Sequence, residues 1–230
     1  MTFKVKLLLI SCLSIMSSPV FAQFSHSRAV NHYSDNFWIV EQKLIDPRPI
    51  HTAPKLMFNG MDFSQLVVVK TESQIDTVST ANIARWNEIF EKRCVGKDKV
   101  LLKKMLGNSL SDCPSSAQNR EENNQPYNQD RDTLFKLSDI EHIVASYSDD
   151  CSVYPEFVAI AELFDPAIGG AIIDFVFFDP QSKKVLWYCK VQGKANVWNN
   201  EGTWGEAVNN AFFRFRKIYA KKKKEWKKTL

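Results

Sequence analysis

The chain has 230 residues, 44% hydrophobic and 12% aromatic, with 30 basic and 26 acidic side chains that leave a formal charge of +4 at pH 7. Such an aromatic content excludes disorder over most of the length, and the size suits one domain with a sizeable core. Nothing in these totals argues for an enzyme.

Residues 1–22 read as a secretory signal peptide. Lys4 and Lys6 form a charged start, Leu7 to Met16 an apolar run, and Val20-Phe21-Ala22 a small-residue cleavage site. The run falls far short of the ~20 residues a membrane span needs. Leu9-Ile10-Ser11-Cys12 resembles a lipobox, which would make Cys12 a lipidated first residue, but the apolar stretch ahead of it is short. Cleavage after Ala22 is the expectation, giving a periplasmic or secreted protein, with lipidation at Cys12 as the alternative.

Residues 23–63 read as an irregular N-terminal segment, with Phe37-Trp38-Ile39-Val40 a candidate short strand and Asn59-Gly60 a candidate hairpin turn. Gln65 to Lys70 carries an unbroken apolar run and predicts a strand buried on both faces. A helix is predicted from Thr80 to about Cys94, with Ile83, Trp86, Ile89 and Phe90 on one side, and a shorter one from Asp98 to Leu106 stopped by Gly107.

Residues 108–132 are rich in Ser, Asn, Gln and charge, which predicts a mobile surface loop inside the domain. Ser138 and Glu141 have capping-box spacing ahead of Ile140, Ile143, Val144 and Tyr147, predicting a short helix.

Phe157–Phe164, Ala171–Asp179 and Val185–Gln192 are rich in β-branched and aromatic residues and are separated by Pro- and Gly-containing loops, predicting an antiparallel meander. In the third strand, period-2 alternation puts Val185, Trp187, Cys189 and Val191 on one face. Leu186, Tyr188, Lys190 and Gln192 fall on a second face that reads as half wet. Thr203 and Glu206 then have capping-box spacing before a helix with Ala207, Val208, Ala211, Phe212, Phe215, Ile218 and Tyr219 in one apolar stripe. A striped helix after a meander packs on its sheet. The fold class expected is α+β: one domain over residues 64–219, a small antiparallel or mixed sheet with helices on its face or faces, followed by a basic tail at 220–230.

Four cysteines remain in the exported portion. An even count in an oxidising compartment suggests two disulfides, Cys94–Cys113 and Cys151–Cys189 being the favoured pairing, with buried free thiols as the alternative.

Two surfaces are candidates for binding. One is the loop Asn196, Trp198, Asn199, Asn200 and Trp204, where Trp and Asn suit glycan or protein contacts unless the Trp side chains fold back on the core. The other is the basic C-terminal segment Arg214 to Leu230, with Arg214, Arg216, Lys217, Lys221, Lys222, Lys223, Lys224, Lys227 and Lys228 and with Trp226 among them, which could stay solvated, lie on an anionic membrane surface, or bind nucleic acid or an acidic glycan. Nucleic acid is not the expected partner, and no cofactor or metal is expected. His26, His32, His51 and His142 are scattered without zinc spacing.

The sharpest catalytic alternative is a degenerate, metal-dependent nuclease-like domain. Asp174 on one strand and Lys190 on the next fit part of the Asp…(Asp/Glu)-x-Lys pattern, in which two carboxylates hold a metal and lysine stabilises developing charge. Position 188 should then be acidic and is Tyr188, so Glu156 or Glu162 would have to stand beside Asp174 and Lys190.

Asp62-Phe63-Ser64 leading into a strand, Phe177-Phe178-Asp179 and Lys184-Val-Leu-Trp187 in a hairpin, and a Gly-rich turn into a final helix resemble a group of bacterial envelope proteins. These are small proteins and lipoproteins of the kind common in Bacteroidetes, with a fold similar to the N-terminal domain of TolB and the curli-secretion lipoprotein. The resemblance covers residues 60–70 and 140–220 and brings no catalytic residue. It implies a periplasmic or membrane-associated interaction domain, its partner an envelope protein or glycan.

Overall fold

A computed structural model describes residues 39–69, 109–112, 134–147, 153–165, 168–195 and 201–230. In chain order these hold β1 (Ile39–Leu44), α1 (Arg48–Thr52), β2 (Lys55–Asp62), β3 (Val67–Val68), β4 (Ser109–Asp112), α2 (Leu137–Ala145), β5 (Glu156–Asp165), β6 (Gly170–Phe178), β7 (Val185–Lys194) and α3 (Glu201–Thr229). The strands form one mixed sheet in the order β1-β7-β6-β5-β2-β4, with β3 also pairing β5. The protein is α+β. The helices predicted at 80–94 and 98–106 lie outside the described residues.

The meander forms as its composition requires. β5, β6 and β7 are antiparallel, with Ile160, Asp174 and Lys190 side by side across them. β2 runs parallel to β5, and β3 continues the same line along β5. Two expectations fail here. Asn59-Gly60 is no hairpin turn but a bulge inside β2, where the register shifts between Phe58 and Met61 and Gly60 takes φ +83°. The strand expected over 65–70 shrinks to two residues because Asp62 accepts the Ser64 backbone N–H at 2.7 Å and turns the chain first. Residues 39–62, read as irregular, supply two strands and α1, and 109–112, inside the predicted mobile loop, pair with β2 as β4.

Both faces of the meander are covered. On one, α3 lays Ala207, Val208, Ala211, Phe212, Phe215 and Tyr219 against Phe157, Phe175, Phe177 and Trp187. The Phe215 ring stacks on Phe175 with centroids 4.1 Å apart. On the other, α2 packs Ile140, Ile143 and Val144 against Val158, Ile160, Val176 and Tyr188. The second face of β7 is therefore not half wet: Tyr188, Lys190 and Gln192 are all buried. Val185 and Leu186 also exchange the faces expected of them, because a register shift at Phe177/Phe178 breaks the alternation.

Helix starts differ from the capping-box readings. α2 begins at Leu137, so Ser138 lies within its first turn, and Asp139 accepts the Lys136 backbone N–H at 2.7 Å instead. α3 begins at Glu201, which places Thr203 inside the first turn. α3 also runs on to Thr229, so residues 220–229 are helix rather than tail. The lysines there have good helix propensity, and Trp226 is the next turn of the apolar stripe.

Two close contacts fix α3. A Cβ on Gly193 would lie 1.8 Å from the Ala207 carbonyl oxygen, so only glycine lets β7 and the helix backbone approach this closely. At the far end Trp226, 3% exposed, meets Trp187 and Tyr219 edge-on.

Candidate functional site

The two candidate surfaces fare differently. Trp204 is half-buried, its ring stacked on Phe164 with centroids 4.4 Å apart, so it closes the end of the α3-side core instead of standing out as a contact residue. Asn196, Trp198, Asn199 and Asn200 lie outside the described residues. In the basic segment Trp226 is buried, which removes it from any exposed surface. Lys221 and Lys224 are exposed, and Lys222 and Lys223 are half-buried.

The exposed side of α3 is organised. Phe213, Lys217, Lys221, Lys224 and Lys228 recur at helical spacing, all of them exposed. The Phe213 ring, 46% exposed, has Lys217 Nζ at 4.6 Å and Arg216 at 4.8 Å from its centroid. Beside this stripe a groove of about 480 Å³ runs between α3 and edge strand β1. Its α3 wall carries Arg214, Lys217, Lys221 and Lys222; its β1 wall carries Ile39 and Gln42. Among the described residues no carboxylate lines it. Lys222 bonds Glu225 at 3.0 Å, one turn along the helix and outside the groove. Arg214 donates to the Gln192 carbonyl, and burial lowers its pKa to about 10, so it keeps its charge at neutral pH. A cation so placed has lost part of its hydration and gains from an anion more than a fully solvated lysine does.

β1 forms the adjoining edge. Among the described residues it pairs only with β7. Gln42 lies opposite Cys189 and Leu44 opposite Trp187, so these side chains share the α3 side. Glu41, on the other side, accepts the Tyr188 hydroxyl.

The meander holds a second cluster. Lys190 Nζ donates to Glu162 and lies 3.1 Å from Asp174 Oδ2. The other Glu162 oxygen accepts the Phe135 backbone N–H. Glu162 thus stands where the nuclease-like alternative needs a carboxylate, and Glu156 does not: it accepts from Asn59 Nδ2 instead. All three residues of the cluster are essentially sealed, none more than 1% exposed. Burial pushes the Asp174 carboxyl well above the usual carboxylate range; Lys190 opposes this and Glu162 adds to it. Burial alone would lower the Lys190 pKa, but the two carboxylates more than offset it and raise it. The raised Asp174 pKa favours a protonated aspartic acid beside the Lys190 ammonium and Glu162, which would leave the buried set neutral, although Asp174 Oδ1 has no hydrogen-bond partner.

The sequence singled out Arg214 and Lys217 only as members of the basic C-terminal segment, and it did not point to Phe213, Gln42 and Ile39 as site residues. The only signal was the neighbourhood of Arg214 and Lys217 on the helix; the β1 wall comes from a strand some 170 residues away, as position 39 stands to 214. Cys189 is a buried free thiol on the α3 side of β7. Cys94, Cys113 and Cys151 lie outside the described residues. No described helix is long and apolar enough to cross a membrane. No family model, curated protein or solved structure matches the chain.

Proposed function

We propose that the protein is an exported cell-envelope binding module whose contact surface is the groove between α3 and β1, and that it does not act by catalysis. One observation carries this reading. Among the described residues the α3 groove is lined by four cations and no carboxylate, whereas the Glu162–Asp174–Lys190 cluster is sealed in the core. Export rests on Lys4, Lys6, the Leu7–Met16 run and the cleavage site at Ala22. An envelope protein or a glycan is the partner class, with an anionic membrane surface as the competing attachment.

The test is site-directed photo-crosslinking in intact cells, with the reactive group at position 217 in the groove or at exposed Lys184 in the β6–β7 turn. A discrete adduct from 217 and none from 184 is expected. Equal adducts from both positions, or none from 217, overturn the reading. Intact mass of the same material should begin at Gln23; retention of residues 1–22 would refute export.

Glu162 beside Asp174 and Lys190 favours a second reading, the divergent nuclease-like domain. Purified protein with Mg²⁺ or Mn²⁺ and single- or double-stranded DNA or RNA decides it. Cleavage that Asp174→Asn abolishes would establish catalysis; no cleavage is expected.

A further inference from the structure

We infer that the α3–β1 groove takes an extended acidic peptide segment of a partner protein, added as a strand along the outer edge of β1 with its acidic side chains on α3. The inference rests on the binding-module reading and names the partner's chemistry.

Three observations converge. First, β1 ends the sheet order, and its outer edge has no strand partner among the described residues. Glu41 to Leu44 are exposed, and the row continues in Ile45, 48% exposed. An open edge of this kind offers main-chain donors and acceptors to one more strand. Second, among the described residues the groove beside that edge has Arg214, Lys217, Lys221 and Lys222 on its wall and no carboxylate, Glu225 meeting Lys222 from outside it. Third, the spacing matches. Same-face side chains on an extended strand recur every ~6.8 Å, and Lys217 and Lys221, four residues apart on a helix, are separated by ~6 Å along its axis. Cations spread along the helix suit a row of carboxylates rather than one compact anion.

A strand beyond β1 would point alternate side chains to the α3 side, as Gln42 and Leu44 do from β1 itself. A sequence alternating acidic and apolar residues would then put its acids beside the lysines. A helical peptide would leave the β1 edge unsatisfied.

The experiment uses the purified protein and a fluorescein-labelled ten-residue peptide alternating Glu and Val. Its controls are a Gln/Val peptide and a peptide of five Glu followed by five Val. Anisotropy should show saturable binding of the alternating peptide, at least tenfold weaker with 300 mM than with 50 mM salt. The Gln/Val and block peptides should bind at least tenfold more weakly. Lys217→Glu with Lys221→Glu should abolish binding. Lys227→Glu with Lys228→Glu, an equal change of charge beyond the groove, should alter it less than twofold. Hydrogen exchange should slow across 39–44 on peptide addition.

Equal binding of the block peptide, an equal effect of both lysine pairs, or unprotected β1 amides would overturn strand addition. Binding to phosphatidylglycerol vesicles in place of the peptide would assign the surface to lipid and refute the proposal. If the peptide fails while the position-217 adduct still forms, the binding module stands and its acidic partner falls. If both fail, both readings fall.

Discussion

Trp226 meets Trp187 edge-on, with ring centroids 5.3 Å apart at 86°. That contact turns a lysine-rich terminus into part of the fold. Trp226→Ala should therefore cost about 3 kcal/mol in urea unfolding, at the lower end for a large buried aromatic. Trp226→Phe should cost ~1 kcal/mol or less, because the indole Nε1–H is buried without an acceptor and its removal relieves an unmet donor. A solvated tail would make both substitutions silent.

The Glu162–Asp174–Lys190 set predicts an asymmetric response to substitution. Lys190→Met leaves two buried carboxylates without their cation and should destabilise by about 3–5 kcal/mol. Asp174→Asn reproduces the shape and neutrality of a protonated aspartic acid and should be close to neutral near pH 5. Chemical denaturation of each variant checks both.

The same set fixes a pH dependence. The folded Asp174 pKa is raised, so between the unfolded value near ~4 and the folded one the native state binds more protons than the unfolded chain. Stability from this residue therefore falls as pH rises through that window. Lys190, also raised, contributes stability that is present below its unfolded pKa and lost as pH climbs through the folded one. Urea midpoints from pH 4 to 9 should show Asp174→Asn gaining on the wild type as pH increases. Parallel curves would show that Asp174 is ionised in the fold.

Cys189 sits among Phe175, Trp187 and Val191, and burial pushes its thiol well above the ordinary range. It should resist iodoacetamide in the native protein and react in 6 M urea without reductant. Reaction only after reduction would mean that it is bridged, the pairing with Cys151 being the sequence-based expectation.

Gly193 and Gly60 separate two roles of glycine. Gly193→Ala drives a methyl group into the Ala207 carbonyl and should lift α3 from β7, with loss of near-ultraviolet ellipticity and a large fall in the unfolding midpoint. Gly60→Ala meets no atom within 4 Å and should cost only the ~1 kcal/mol of a left-handed backbone.

The meander was legible because β-branched and aromatic runs bounded by Pro and Gly leave few alternatives, and the α3 stripe because Phe215 and Tyr219 recur at helical spacing. Trp226 continued that stripe, but the lysines around it suggested a tail. Lys190 read as wet because alternation reports polarity and not cover; the cover comes from α2 and Phe135, far upstream. β2 was hidden by Asn59-Gly60, a common turn pair that here forms a bulge whose Asn side chain bonds Glu156 across the sheet. The groove was least legible, since one wall belongs to a strand whose pairing with β7 no local pattern announces.

Being held at Gly193 near one end and at Trp226 near the other, the 29-residue α3 is a rod about 43 Å long with cations at set intervals. A loose lysine tail adapts to any polyanion and discriminates by total charge. A clamped rod would act as a graduated rule, favouring a partner whose charges fall on its divisions over one of equal charge and different period.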